Sequence, residues 1–189
     1  MINPTDHPVH ELIANRWSPY DFGDGDISRD DLRSLFEAAR WAASAFNEQP
    51  WRFIVATRND AEGFATAVSC LMEKNQQWAQ KLPVIVFTAA RKSFTRNDHP
   101  NGSAQHDLGM AVGNLVFEAT ARGLALHHMA GIDRDRIREV YSVPDEFDIM
   151  TAIAIGQSAE GVEPGARNRK PLAEIVFGGE FGKGAPLAG

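Results

Sequence analysis

Two apolar runs constrain this chain more than any other feature. "PVIVFTAA" begins at Pro83 and "IMTAIAIGQ" begins at Ile149, and neither alternates between apolar and polar residues. A strand with one wet face would alternate, so the first run suits a strand covered on both sides, and the second reads as the last core strand. Both fall well short of the ~20 apolar residues that cross a bilayer. The segments around them read as helices, among them "HPVHELIANR", a stretch from Ser28 to about Ala43, one from about Ala61 to Gln80, and one from His106 to Arg122. Ser28 has the place of a helix N-cap, with Asp31 in the capping-box position. Leu32, Leu35, Phe36 and Ala39 follow at helical spacing. "WRFIVATR" and "LALHHMAG" supply further extended segments, and Asp133 caps a short helix through Tyr141. Helices and strands mix without clean βαβ repetition. The expected class is therefore α+β, with a central, mainly antiparallel or mixed sheet flanked by helices.

The chain has 189 residues, 43% of them hydrophobic, which is enough for one domain or for a subunit whose core a partner completes. A single domain over 1–189 is expected, with the apolar and then glycine-rich tail, about 172–189, as an arm leaving it. The formal net charge of -6 argues against generic nucleic-acid binding, which needs a basic face. The start "MINPTDHPVHELI" lacks the layout of a secretory leader, and the lone Cys70 rules out an intrachain disulfide. A cytoplasmic protein with no membrane and no nucleic-acid partner is expected. Gly109 and Gly113 form a G-x-x-x-G, but Asp107 and Glu118 flank it, so close helix packing is its expected use.

Several kinds of site are missing from the sequence. There is no dinucleotide fingerprint, no phosphate loop of the Walker type and no G-x-S-x-G. His7, His10, His127 and His128 lack companions at zinc spacing, so no metal is expected. Three stretches remain: "NRWSPYDF", "SAFNEQPW" and "ARNRKP". Arg167 and Arg169 would share a face if extended, and paired guanidinium forks suit phosphate oxygens. By themselves these stretches read in either of two ways. One is an anion site beside an amide-lined apolar slot. The other is solvated arginines around a core tryptophan.

Taken together, "RWSPYDF", "AARWAASAFNEQPWRFIVA", "HDLGMAVGNLVFEATARGLALHHMAGID", "VPDEF", "AIAIG" and "RNRKPL" resemble the nitroreductase family of FMN-dependent oxidoreductases, in order and spacing from about Ile13 to Phe177. The resemblance implies a homodimer with FMN at the interface and an exchanged C-terminal arm. It implies that Arg16, Trp17 and Ser18 meet the phosphate and ring edge, and that Arg167 and Arg169 form a second phosphate anchor. Ser44, Asn47 and Gln49 would meet flavin across the dimer interface. Met129, Ala130 and Gly131 would lie against the isoalloxazine, and Asn75 would face its pyrimidine edge. Tyr20 stands where many relatives carry a basic residue, and Ala43 where many carry proline. The implied activity is hydride transfer from NADH or NADPH through flavin to a small electron-poor acceptor, such as a nitroaromatic or quinone, with ping-pong kinetics and no protein nucleophile. The competing readings are a flavin carrier or sensor without turnover, and a reduced-flavin-using relative with a different reaction. The loop "RKSFTRNDHPNGS" is the expected lid.

Overall fold

A computed structural model describes residues 3–165 and 167–185. Four strands form one fully antiparallel sheet: β1 (Trp51–Thr57), β2 (Val84–Arg91), β3 (Ala125–Met129) and β4 (Phe147–Gly156), in the order β1-β2-β4-β3. The two apolar runs are the two central strands. Alternate side chains of β2 serve two cores. Val84, Val86 and Ala90 face one layer, while Ile85 and Phe87 face the other. This is why the run cannot alternate with polar residues.

The first layer is α2 (Arg29–Arg40) with α5 (Ala104–Ala121), packed through Leu35, Ala39, Leu108, Ala111 and Leu115. The second is α3 (Ala61–Ser69), α4 (Glu73–Ala79) and α6 (Arg134–Val140), packed through Phe64, Ala67, Ala79 and Ile137. A short helix, α1 (Glu11–Asn15), precedes them. The expected α+β class with a helix-flanked sheet is the one observed. Among the described residues, no helix is long and apolar enough to cross a membrane.

The helix boundaries differ from the sequence reading in instructive ways. Ser28 does cap α2, its hydroxyl accepting from the Asp31 N–H at 3.0 Å. The Asp31 carboxylate, however, accepts from the Ser28 hydroxyl and from Arg122. That helix stops at Arg40 rather than near Ala43. Beyond it, the Ala45 N–H is claimed by the carboxylate of Asp107 at 3.0 Å, which draws the chain onto α5. The expected helix from Ala61 to Gln80 is broken into two. At the break, Leu71 bridges Ile132, the Met72 N–H donates to the Gly131 carbonyl, and the Asp133 N–H donates to the Cys70 carbonyl. Backbone pairing with a segment sixty residues away outcompetes helix continuation there.

A bulge interrupts the β2–β4 ladder between Phe87 and Ala89. The buried Thr88 hydroxyl accepts from the Thr151 N–H at 3.1 Å and lies 2.9 Å from the Thr151 hydroxyl. One side chain thus satisfies the polar groups that the irregular ladder leaves over.

Candidate functional site

The site grows from the outer edge of β3. The segment from Arg16 to Tyr20 runs alongside that strand, with His127 Nδ1 2.9 Å from the Pro19 carbonyl oxygen. Phe22 then bridges Ser158 beyond the end of β4. A Cβ on Gly156 would come within 2.7 Å of the Phe22 ring, so only glycine admits this crossing. At the near end of β3, Arg16 and Trp17 line a small recess of about 140 Å³ with Gly123, Leu124 and Ser158. At the far end, Tyr20, Lys74, Asn75, His127, Ala130 and Gly131 line a cleft of about 520 Å³. The stretch from Ala125 to Gly131 spans about 20 Å at strand rise, room for an elongated ligand.

Helix α4 exists as a separate element because of the break before it, and the break aims its first turn at the cleft. Asn75 Nδ2 donates to the Gly131 carbonyl at 2.9 Å. A Cβ on Gly131 would lie 2.9 Å from that same amide nitrogen. Glycine is therefore required for the amide to sit against the backbone. Met129 is buried in the second core layer, so it offers the cleft its backbone rather than its side chain. Tyr20 is largely exposed, with its ring 4.4 Å from that of His127 and edge-on to Trp78 at 5.9 Å.

Like charges meet at the near end of β3. Burial and the neighbouring charges of Arg169 and Arg167 pull the Arg16 guanidinium below its usual value. The two ends of the chain therefore bring three arginines into one field. Arg16 donates to the Ser18 hydroxyl at 3.1 Å, and Arg169 to the Asn168 carbonyl. Among the described residues, neither Arg16 nor Arg169 forms an ion pair with a carboxylate. His127 is held below its usual value chiefly by burial, and also by Arg167. Like charges gathered without an anion are unfavourable, and a bound phosphate would relieve them.

Ser44, Asn47 and Gln49 are not in this cleft. They precede β1, at the opposite edge of the sheet from β3, three strand spacings or about 14 Å away. Their turn is strained: Phe46, Asn47 and Gln49 have φ of 53°, 58° and 51°. Asparagine tolerates this conformation, but phenylalanine and glutamine do so at about 1–2 kcal/mol each. Hydrogen bonds hold the turn. The Ser44 hydroxyl accepts from the Gln49 N–H at 3.0 Å, and the Gln49 amide donates to the Asn47 carbonyl. The buried carboxylate of Asp107 anchors its start.

Lys74, His127 and His128 also line the cleft, where the sequence does not lead one to expect them; it weighs the histidines only as metal ligands. Lys74 had a signal, its adjacency to Asn75. The two histidines had none, because nothing local says that Arg16 to Tyr20 will lie against them.

A four-stranded antiparallel sheet with helices on both faces and a cleft along one edge place the chain in the α+β class. The sequence model of the Nitroreductase family matches residues 13–157, and the chain belongs to that family. A solved FMN-containing oxidoreductase is 34% identical and superposes with a TM-score of 0.87, covering 96% of each chain. A protein of Desulfovibrio desulfuricans solved in complex with FMN is 26% identical, with a TM-score of 0.74, covering 94% of this chain and 99% of that one. The NADH dehydrogenase of Thermus thermophilus is 28% identical over 177 residues, 77% of this chain and 83% of the relative.

Proposed function

We propose that this chain is an FMN-dependent oxidoreductase that takes hydride from NADH or NADPH and delivers it to a small electron-poor acceptor. The observation that carries the reading is the convergence of Arg16, Arg167 and Arg169 beside a cleft that ends at Gly131 and Asn75. Bound FMN supplies a two-electron carrier between the nicotinamide and the acceptor.

The residues fit that cofactor. Arg16, with Ser18, Arg167 and Arg169, binds the phosphate and offsets its desolvation. Trp17 walls the recess beside Arg16, and Tyr20 walls the cleft at the other end of β3. Asn75 offers an amide, and Lys74 a cation, to the ring's electron-rich edge. Met129, Ala130 and Gly131 present backbone to its centre. Because nicotinamide and acceptor occupy the same place in turn, the kinetics are ping-pong. With a nitroaromatic acceptor, NAD(P)H and one proton convert Ar–NO₂ to Ar–NO and water.

The functional unit is a homodimer, with 1–189 as one domain and the arm from about 172 reaching the second copy. Residues 186–189 of that arm lie outside the described residues. Helix α5 supports this reading. Its outer stripe carries Gly109, Met110, Gly113 and Phe117, with Met110 and Phe117 exposed. Apart from the adjacent residues and the helix's own backbone, no described atom comes within 4 Å of where a Cβ on Gly109 or Gly113 would stand. A helix apolar on two faces with one face uncovered suits a second copy. The dimer would also bring Ser44, Asn47 and Gln49 to the partner's cleft. A cytoplasmic setting fits.

The test is the absorption spectrum of the purified protein, followed by anaerobic addition of each reduced nicotinamide. A flavin spectrum bleached within seconds by NADH or NADPH is expected. A yellow protein that neither bleaches would instead be a carrier, and a colourless protein that takes up no added FMN would overturn the reading.

A further inference from the structure

Phe46 occupies the middle of the Ser44–Gln49 turn in a left-handed conformation, φ 53° and ψ 23°, with 73% of its surface exposed. Core packing does not account for a bulky ring held this way in solvent. The ring instead belongs to a second cluster. The Arg96 guanidinium carbon lies 4.1 Å from the Phe46 ring centre and 5.5 Å from that of Phe94. The two rings meet edge-on at 5.6 Å. The loop that carries Phe94 and Arg96 is tied to the turn by Glu48, whose carboxylate accepts from the Thr95 N–H at 2.9 Å and from its hydroxyl at 3.2 Å. Glu48 is thereby engaged, and among the described residues Arg96 has no carboxylate within ion-pair distance.

We infer that Arg96, stacked on Phe46 and Phe94, determines acceptor specificity, and that it selects planar aromatic acceptors bearing a carboxylate. This rests on the proposed reading of the Ser44–Gln49 turn as part of a cofactor site shared between two copies. A guanidinium over an aromatic face keeps its N–H donors pointing outward in its own plane. A flat apolar wall with a fork of donors at its rim matches an aromatic ring with a carboxylate at its end. The strained backbone at Phe46 is what sets the ring beside Asn47 and under Arg96. In each turnover, hydride from NAD(P)H and one proton from solution convert the nitro group to nitroso, one nitro oxygen leaving as water and the nicotinamide leaving as NAD(P)+. The carboxylate is unchanged and serves only for binding.

The experiment compares para-nitrobenzoate with the neutral, near-isosteric para-nitrobenzamide on the flavin-loaded protein. Arg96→Gln is expected to lower kcat/KM about tenfold for the benzoate and less than about twofold for the benzamide. Arg96→Lys, which keeps the charge but loses the fork, should fall between. Calorimetric titration with benzoate, which needs no turnover, should show affinity reduced by a similar factor in Arg96→Gln. Equal losses on both acceptors would mean that Arg96 merely holds the loop, and would overturn the inference. A rise in KM for NADPH but not NADH would overturn it too, by assigning Arg96 to the dinucleotide phosphate. If neither nicotinamide bleaches the protein, the proposed function falls, and the benzoate titration then decides the inference by itself.

Discussion

At the residue scale, Gly131 and Asn75 make the sharpest pair. A methyl group at position 131 would meet the Asn75 amide nitrogen at 2.9 Å, closer than real Cβ contacts allow, so the free end of that side chain would have to swing away. Gly131→Ala should push the amide out of place and weaken FMN binding roughly tenfold, with little change in melting temperature. A fluorescence titration of the cofactor-free protein with FMN reads this directly. Unchanged affinity would mean that the cleft at β3 does not hold the ring.

His127 gives a pH signature. It is held below its ordinary value, mainly by burial. An unfolded histidine titrates near about 6.5, so the unfolded chain takes up protons before the folded one. Stability should be full above that pH and fall as the pH drops through it, since the unfolded state then binds more protons. Urea denaturation of the cofactor-free protein between pH 8 and pH 5 checks the sign, and His127→Gln should flatten the slope.

At the element scale, Thr88 carries the bulge in the central ladder. Its hydroxyl is the acceptor for the Thr151 N–H in a place that water does not reach. Thr88→Val keeps the shape and removes the partner. The expected loss is about 1–3 kcal/mol, seen as a lower urea midpoint at constant slope. The elements themselves were largely legible beforehand. The two apolar runs are the two central strands, and Ser28 and Asp133 cap the helices they were expected to cap. The misread elements share one cause. Ala42 and Ala43 would favour helix by intrinsic preference, and nothing local breaks the chain at Cys70. Yet the Asp107 carboxylate and the Gly131 carbonyl, both remote in sequence, claim the backbone N–H groups there.

At the scale of the whole molecule, the proposed site falls on two edges of one sheet. Arg16, Asn75 and Gly131 lie by β3, while Ser44, Asn47 and Gln49 lie before β1. A dimer packed through the outer stripe of α5 would reconcile them. Phe117→Glu should therefore yield a monomer by light scattering at micromolar concentration and lose FMN along with the dimer. A monomeric variant that keeps full flavin affinity would separate the two and count against a shared site.

Residue order alone determined the covered sheet, because a run such as Val84–Ala90 has nowhere to put its apolar side chains except between two layers. It also determined the supply of cations at both ends of the chain. Only the tertiary structure decided that these cations share one field, that Asn75 faces Gly131, and that Arg96 lies over Phe46. Apolar burial is nearly non-directional and can be read from pattern, whereas charge–charge and amide–backbone contacts act over a few ångströms between segments whose separation along the chain carries no signal.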